Sequence, residues 1–190
     1  MSKARDEFES PARNIMLAVL TLGGAGCVLF GVFYRLRGAG WLLSCSVTCG
    51  LFAYHMLIRF LAPVIVTAVF HRRYDFRSRW FRPKAWEAPL YAFLRVKRWK
   101  GRLPTYDPRE FSMKLHTLSE IVNNMCHAEA VHELIALLSF SSLLFAIPFG
   151  DFAVFFITAL CAAAIDGAFV VVQRCNRPRV VKLMERRAAK

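Results

Sequence analysis

At 190 residues with 56% hydrophobic residues, this chain is too short for several domains and too apolar for an ordinary water-soluble one. Its net charge of +13 abuts the apolar stretches and is interleaved with Trp and Phe. That placement argues against nucleic acid as a partner and for anionic lipid headgroups, which attract each nearby basic residue by roughly 1 kcal/mol.

Four apolar stretches are predicted to cross a bilayer as helices, at 14–34, 41–70, 131–149 and 152–173. About 20 apolar residues suffice for one crossing. The stretches form two pairs around a basic segment, 71–130, which is predicted to be cytoplasmic or interfacial. The expectation is one all-α membrane domain over 1–190: a polytopic helical bundle with about four transmembrane helices plus interfacial amphipathic helices. Lys3, Arg5 and Arg13 precede the first span, thirteen Lys or Arg lie from Arg72 to Lys114, and seven follow the fourth span. The positive-inside rule then predicts a multi-pass protein of the cell membrane with both termini cytoplasmic. Acidic Asp6, Glu7 and Glu9 ahead of the first span argue against a cleavable signal.

In the first span, Gly23, Gly24, Gly26 and Gly31 predict close approach to a neighbouring helix. In the second, Pro63 is expected to kink the helix or end its spanning part. His55 and Arg59 share a face there, and an Arg in such sequence should face the protein interior or reach the interface. Cys27, Cys45, Cys49, Cys126, Cys161 and Cys175 are expected to be free thiols, and no cysteine spacing suits a metal.

Within the basic segment, 87–99 is predicted to form one interfacial helix, stopped by Gly101. Asp107-Pro108 reads as a helix start, with Asp107 as cap, and this helix is expected to continue into the third span. On it, His116, Glu120, Asn123 and His127 would form a stripe at i, i+4, i+7 and i+11, with Asn124 beside it. Such a stripe could hold a metal, although nothing matches a His-Glu-x-x-His pattern and no metal is expected. Glu129 and His132, three residues apart, are the main candidates for chemistry. A carboxylate can orient an imidazole and stabilise its charged form while it takes a proton from an alcohol. Asp166 falls deep in the fourth span, where a lone carboxylate needs a partner, and Arg59, His55 and His132 are the candidates. The exit from that span carries Gln173-Arg174-Cys175-Asn176-Arg177-Pro178-Arg179, whose arginine forks suit phosphate or carboxylate.

Three blocks resemble the glycosyl-4,4'-diaponeurosporenoate acyltransferase family of bacterial membrane proteins. They are Val96-Lys97-Arg98-Trp99-Lys100 with Leu103-Pro104, Ala128-Glu129-Ala130-Val131-His132, and Val172-Gln173-Arg174-Cys175-Asn176-Arg177-Pro178-Arg179. The likeness extends over about 77–187, with departures from the family pattern at Asn124, His127, Glu133, Cys175 and near Asp166. It implies transfer of a fatty acyl group to a hydroxyl of a membrane-embedded glycolipid. His132 would be the general base and Glu129 its orienting carboxylate. Lys97, Arg98, Trp99, Lys100, Arg174, Asn176, Arg177 and Arg179 would bind substrate, the cations holding donor phosphates and Asn176 donating to the oxyanion. The donor would be a thioester of coenzyme A or acyl carrier protein, used as co-substrate with no resident cofactor. Membrane lipids and the lipid acceptor are the other expected partners, and self-association is left open. The alternatives are a non-catalytic lipid-binding or assembly protein, and a small-molecule transporter using Asp166 and Arg59.

Overall fold

A computed structural model describes residues 11–104 and 107–189. Lys3, Arg5, the acidic Asp6, Glu7 and Glu9, and Lys190 lie outside the described residues. Every regular element described is helical, and four helical segments are long and apolar enough to cross a membrane. The first hairpin joins α1 (Pro11–Arg37) to α2 (Gly40–Phe70). The reversal uses Gly38, whose φ of +68° suits a residue without a Cβ, and its N–H donates back to Tyr34 O at 2.8 Å. The predicted close approach occurs between these two helices. A Cβ on Gly23 would lie 2.9 Å from the Cys49 carbonyl oxygen, and one on Gly26 would lie 2.9 Å from Cys49 Sγ. Gly24, on the other side, faces open space.

Pro63 does not end α2, which continues unbroken to Phe70. At about 46 Å this helix is longer than a hydrocarbon core of about 30 Å. Pro63 lacks an N–H, so the carbonyl of Arg59, four residues earlier, loses its helical donor. The turn after α2 passes through left-handed His71 and Arg72 and is tied down by Asn123. The Asn123 amide accepts from Tyr74 N at 3.2 Å and donates to Arg72 O at 2.8 Å.

The predicted helix over 87–99 is two short ones, α3 (Glu87–Phe93) and α4 (Val96–Trp99). They are separated by Arg95 in the left-handed region, and this break lets Val96 become almost fully buried. Asp107 does act as a cap, accepting from Arg109 N at 3.0 Å, but it starts only a 3-10 turn over Pro108–Phe111. The expected run into the third span is therefore interrupted. A new helix, α5 (Leu118–Ser139), starts from a reciprocal capping box between Thr117 and Glu120. It passes through a 3-10 segment, Phe140–Phe145, into α6 (Ala146–Phe149). After a turn at Gly150 and Asp151, α7 runs from Phe152 to Ala188 with Pro178 inside it. At about 55 Å, α7 reaches well beyond the apolar part of its sequence.

The second hairpin packs α5 on α7, and α2 joins the two hairpins by packing on α5. Ile58, Ala62 and Val66 of α2 meet Val131 and Ile135 of α5 in an apolar seam. Both hairpins being antiparallel, Pro11, residues 71–104 and 107–117, and Ala189 all lie at one end of the bundle.

Candidate active site

Two polar clusters lie inside this apolar frame, and they divide the residues that the sequence groups together. The deeper one centres on Asp166, 1% exposed on α7. Arg59 Nη2 of α2 donates to Asp166 Oδ2 at 2.5 Å, and Arg59 Nη1 donates to the carbonyl of His55 at 3.0 Å. On the other carboxylate oxygen, Asp166 Oδ1 lies 2.9 Å from His132 Nδ1 of α5. A carboxylate only accepts, so Nδ1 carries a proton, and in the neutral ring Nε2 presents a lone pair. Phe169, one turn beyond Asp166, stacks flat on the imidazole with centroids 4.6 Å apart, fixing the ring plane. The His132 side chain keeps 24% of its surface exposed, so Nε2 is held but not sealed. Arg59 supplies the countercharge that a buried carboxylate requires. Of the three partners expected for Asp166, the structure supplies Arg59 and His132. His55 is buried nearby with neither ring nitrogen hydrogen-bonded.

The second cluster surrounds Glu129, which is fully buried. Its Oε1 accepts from Arg174 Nη1 at 2.5 Å and its Oε2 accepts from Arg177 Nη1. Glu129 is therefore held by the arginines of α7, and the carboxylate beside His132 is Asp166. Arg174 also donates through Nε and Nη2 to Glu87 Oε1, at 3.0 and 2.5 Å. Its remaining N–H bonds go to the carbonyls of Trp80, at 3.0 Å, and Arg82, at 3.2 Å. All five guanidinium protons are thus engaged. Arg177, 3% exposed, donates to the Phe81 carbonyl and lies over the Phe81 ring at 5.2 Å. Two carboxylates and two guanidiniums balance, which is what makes so many buried charges tolerable. Burial works to raise the Glu87 carboxyl, but hydrogen bonds from Arg174 and Tyr91 outweigh it and hold Glu87 below the usual carboxylate range. The Tyr91 phenol is pushed up by burial and by its 2.9 Å bond to Glu87.

The remaining candidates take other places. Lys97, Arg98 and Arg179 are exposed. Lys100 donates to Asn176 Oδ1 at 2.5 Å, and the Trp99 indole donates to Leu94 O at 2.9 Å. The His116 stripe is not one helical face, because His116 precedes α5. Glu120 closes the capping box, with His116 Nδ1 at 3.8 Å. Asn124 donates to Glu110 O at 2.8 Å, and His127 Nδ1 shares a 2.8 Å hydrogen bond with the Tyr74 hydroxyl. These contacts fasten the basic segment to α5. Among the described residues, no group of three or more His, Cys, Asp or Glu is placed to hold a metal.

Sequence reasoning passed over Glu87, Phe81 and Phe169. Glu87 had a signal: it is the sole acidic residue between Asp75 and Asp107, surrounded by cations. The two phenylalanines had none, since an aromatic in apolar or interfacial sequence reads as packing.

Residues 77–186, more than half of the chain, match the family profile described as glycosyl-4,4'-diaponeurosporenoate acyltransferase. No curated protein and no solved structure matches.

Proposed function

This chain belongs to the glycosyl-4,4'-diaponeurosporenoate acyltransferase family, acyltransferases of carotenoid biosynthesis, and we propose that its chemistry runs through His132 acting as general base with Asp166 behind it. The acceptor is a sugar hydroxyl of a carotenoid glycoside lying in the bilayer. The donor is a fatty acyl thioester. His132 Nε2 takes the hydroxyl proton as the oxygen attacks the thioester carbonyl. The tetrahedral intermediate collapses, the C–S bond breaks, and the imidazolium returns the proton to the departing thiolate. An ester and a free thiol result.

Asp166 keeps the proton on Nδ1 and offsets the positive charge that develops on the ring, the logic of a His–carboxylate pair in acyl transfer. Arg59 supplies a countercharge to that carboxylate and orients it, and Phe169 limits ring rotation. The observation that carries the reading is the 2.9 Å contact between His132 Nδ1 and Asp166 Oδ1 beside a partly open imidazole. The Glu129 cluster serves the site indirectly by docking the 80–87 segment across α5 and α7. The excess of Lys and Arg at one end of the bundle supports a cytoplasmic position for that end, where thioester donors occur.

The test is acyl transfer by purified protein in lipid nanodiscs, supplied with a carotenoid glycoside and an acyl thioester. Mass spectrometry should find the glycoside heavier by one acyl group with wild type. His132→Ala should lower the rate by about 10²–10⁴ while the protein remains folded. Full activity in that variant removes the mechanism.

A further inference from the structure

Two of the arginines expected to hold the donor's phosphates are committed elsewhere. All five N–H groups of Arg174 are engaged, and Arg177 is buried against Glu129 and Phe81. A phosphate could reach either only by dismantling the cluster that holds the 80–87 segment. Cations that remain exposed include Lys97, Arg98 and Arg179 and, further along α7 and just ahead of α5, Arg187 and Lys114. Where the chain leading into α5 meets the last turns of α7, a cleft of about 640 Å³ opens. Lys114 and Arg187, both exposed, line it together with His116. Leu115, Leu118 and Met184 give it an apolar side. Its acidic member, Glu120, has Oε2 turned onto the Thr117 N–H and hydroxyl, at 2.7 and 3.0 Å. Glu120 therefore points back into the helix cap, which lessens its opposition to an anion.

A second hollow of about 380 Å³ adjoins the first, sharing His116, Ser119 and Glu120, and extends to Asn123 and Asn124. Along α5 it ends there, about two helical turns short of His132. From Ser119 to His132 that helix rises about 20 Å. A ligand bound by its charge at the cleft, and reacting at His132, must therefore carry its phosphate and its reactive carbonyl far apart on a flexible chain. A phosphopantetheine thioester has this form. Its phosphate matches Lys114 and Arg187, and its uncharged portion matches the apolar wall.

We propose that the cleft between the 113–120 segment and the end of α7 is the docking site for the phosphate-bearing end of the acyl donor, a phosphopantetheine thioester on coenzyme A or on a carrier protein. The proposal rests on the acyl-transfer reading and adds to it the place where the donor is held, remote from the reacting atoms.

The experiment measures binding of coenzyme A, of holo-carrier protein and of apo-carrier protein to the full chain in nanodiscs by calorimetry. Three proteins are compared: wild type, Lys114→Glu/Arg187→Glu, and the milder Lys114→Gln/Arg187→Gln. Thermal unfolding of each shows that it is folded. The charge reversal should weaken donor binding by about tenfold or more, as loss of two charge-assisted contacts requires. In turnover it should raise the donor KM while kcat at saturating donor and the acceptor KM stay within about twofold. His132→Ala should bind donor as wild type does. Tight binding of coenzyme A alone names the nucleotide thioester as donor, and preference for holo- over apo-carrier names the carrier. Unchanged affinity and donor KM in both double variants overturns the cleft and leaves the His132 mechanism standing. Donor binding sensitive to both substitutions, without acyl transfer by wild type, supports the cleft and overturns the acyl-transfer reading.

Discussion

His132 Nδ1 lies 2.9 Å from Asp166 Oδ1, joining α5 to α7 inside the apolar part of the second hairpin. With Arg59 on the far side of the same carboxylate, three helices converge on one buried charge. In the proposed mechanism catalysis and bundle stability meet at Asp166, and suitable substitutions separate them.

Asp166→Asn preserves shape but removes the charge that holds the proton on Nδ1. In acyl-transfer assays kcat should fall by about 10²–10⁴, in line with other His–carboxylate pairs, with little change in the acceptor KM. A variant retaining more than a tenth of wild-type kcat would deny Asp166 this positioning role.

Arg59→Met leaves Asp166 buried without its countercharge, and Asp166→Leu strands Arg59. Each should destabilise the protein by about 3–5 kcal/mol, because breaking one side of a buried pair exposes an uncompensated charge. The double variant should be markedly less impaired than the sum of the two. Denaturation in detergent measures all three, and simple additivity would mean that the two residues are energetically independent.

Glu129→Gln removes the charge shared by Arg174 and Arg177. It should cost about 3–5 kcal/mol of stability by the same reasoning. The kcat per folded molecule should stay within about threefold of wild type, since His132 is oriented by Asp166. A collapse of kcat in a variant that melts normally would return Glu129 to the chemistry.

Glu87 supplies a pH dependence with a definite sign. Its folded-state pKa is held below the ordinary 4.5, so its contribution to stability is complete above that value. The contribution disappears as pH falls through the lower folded value, when Arg174 loses one of its two carboxylate partners. The melting temperature of wild type should drop across this acid range, and Glu87→Gln should lack that component. Identical acid limbs in the two proteins would dissociate Glu87 from acid stability.

Several features could be read from the chain. Four spans follow from hydropathy because burial of a helix in lipid depends on a local run of apolar residues. Asp166 needed partners because no carboxylate is left alone in hydrocarbon, and Arg59 and His132 were already among the few polar groups at comparable depth. The glycine face of α1 identified itself because close approach requires the absence of a Cβ, and Cys49 occupies that space. Breaks were less legible. Pro63 suggested a kink or an end to the spanning part of α2; it does not end the helix, which packs through Ile58, Ala62 and Val66 on α5 and continues to Phe70. Continuity from Pro108 into α5 failed because Thr117 and Glu120 form a stronger local start.

The sequence by itself determined that this is a helical membrane protein with one strongly basic end and a carboxylate in its fourth span that demands a partner. Which carboxylate lies beside the imidazole was decided only by the tertiary structure. Glu129 and His132 are three residues apart on α5, so their side chains leave the helix in different directions, about 60° apart. Packing against α7 assigns one direction to Arg174 and Arg177 and the other to Asp166. Spacing along one helix specifies which residues are neighbours on it; the rotation of one helix against another specifies what each of them meets.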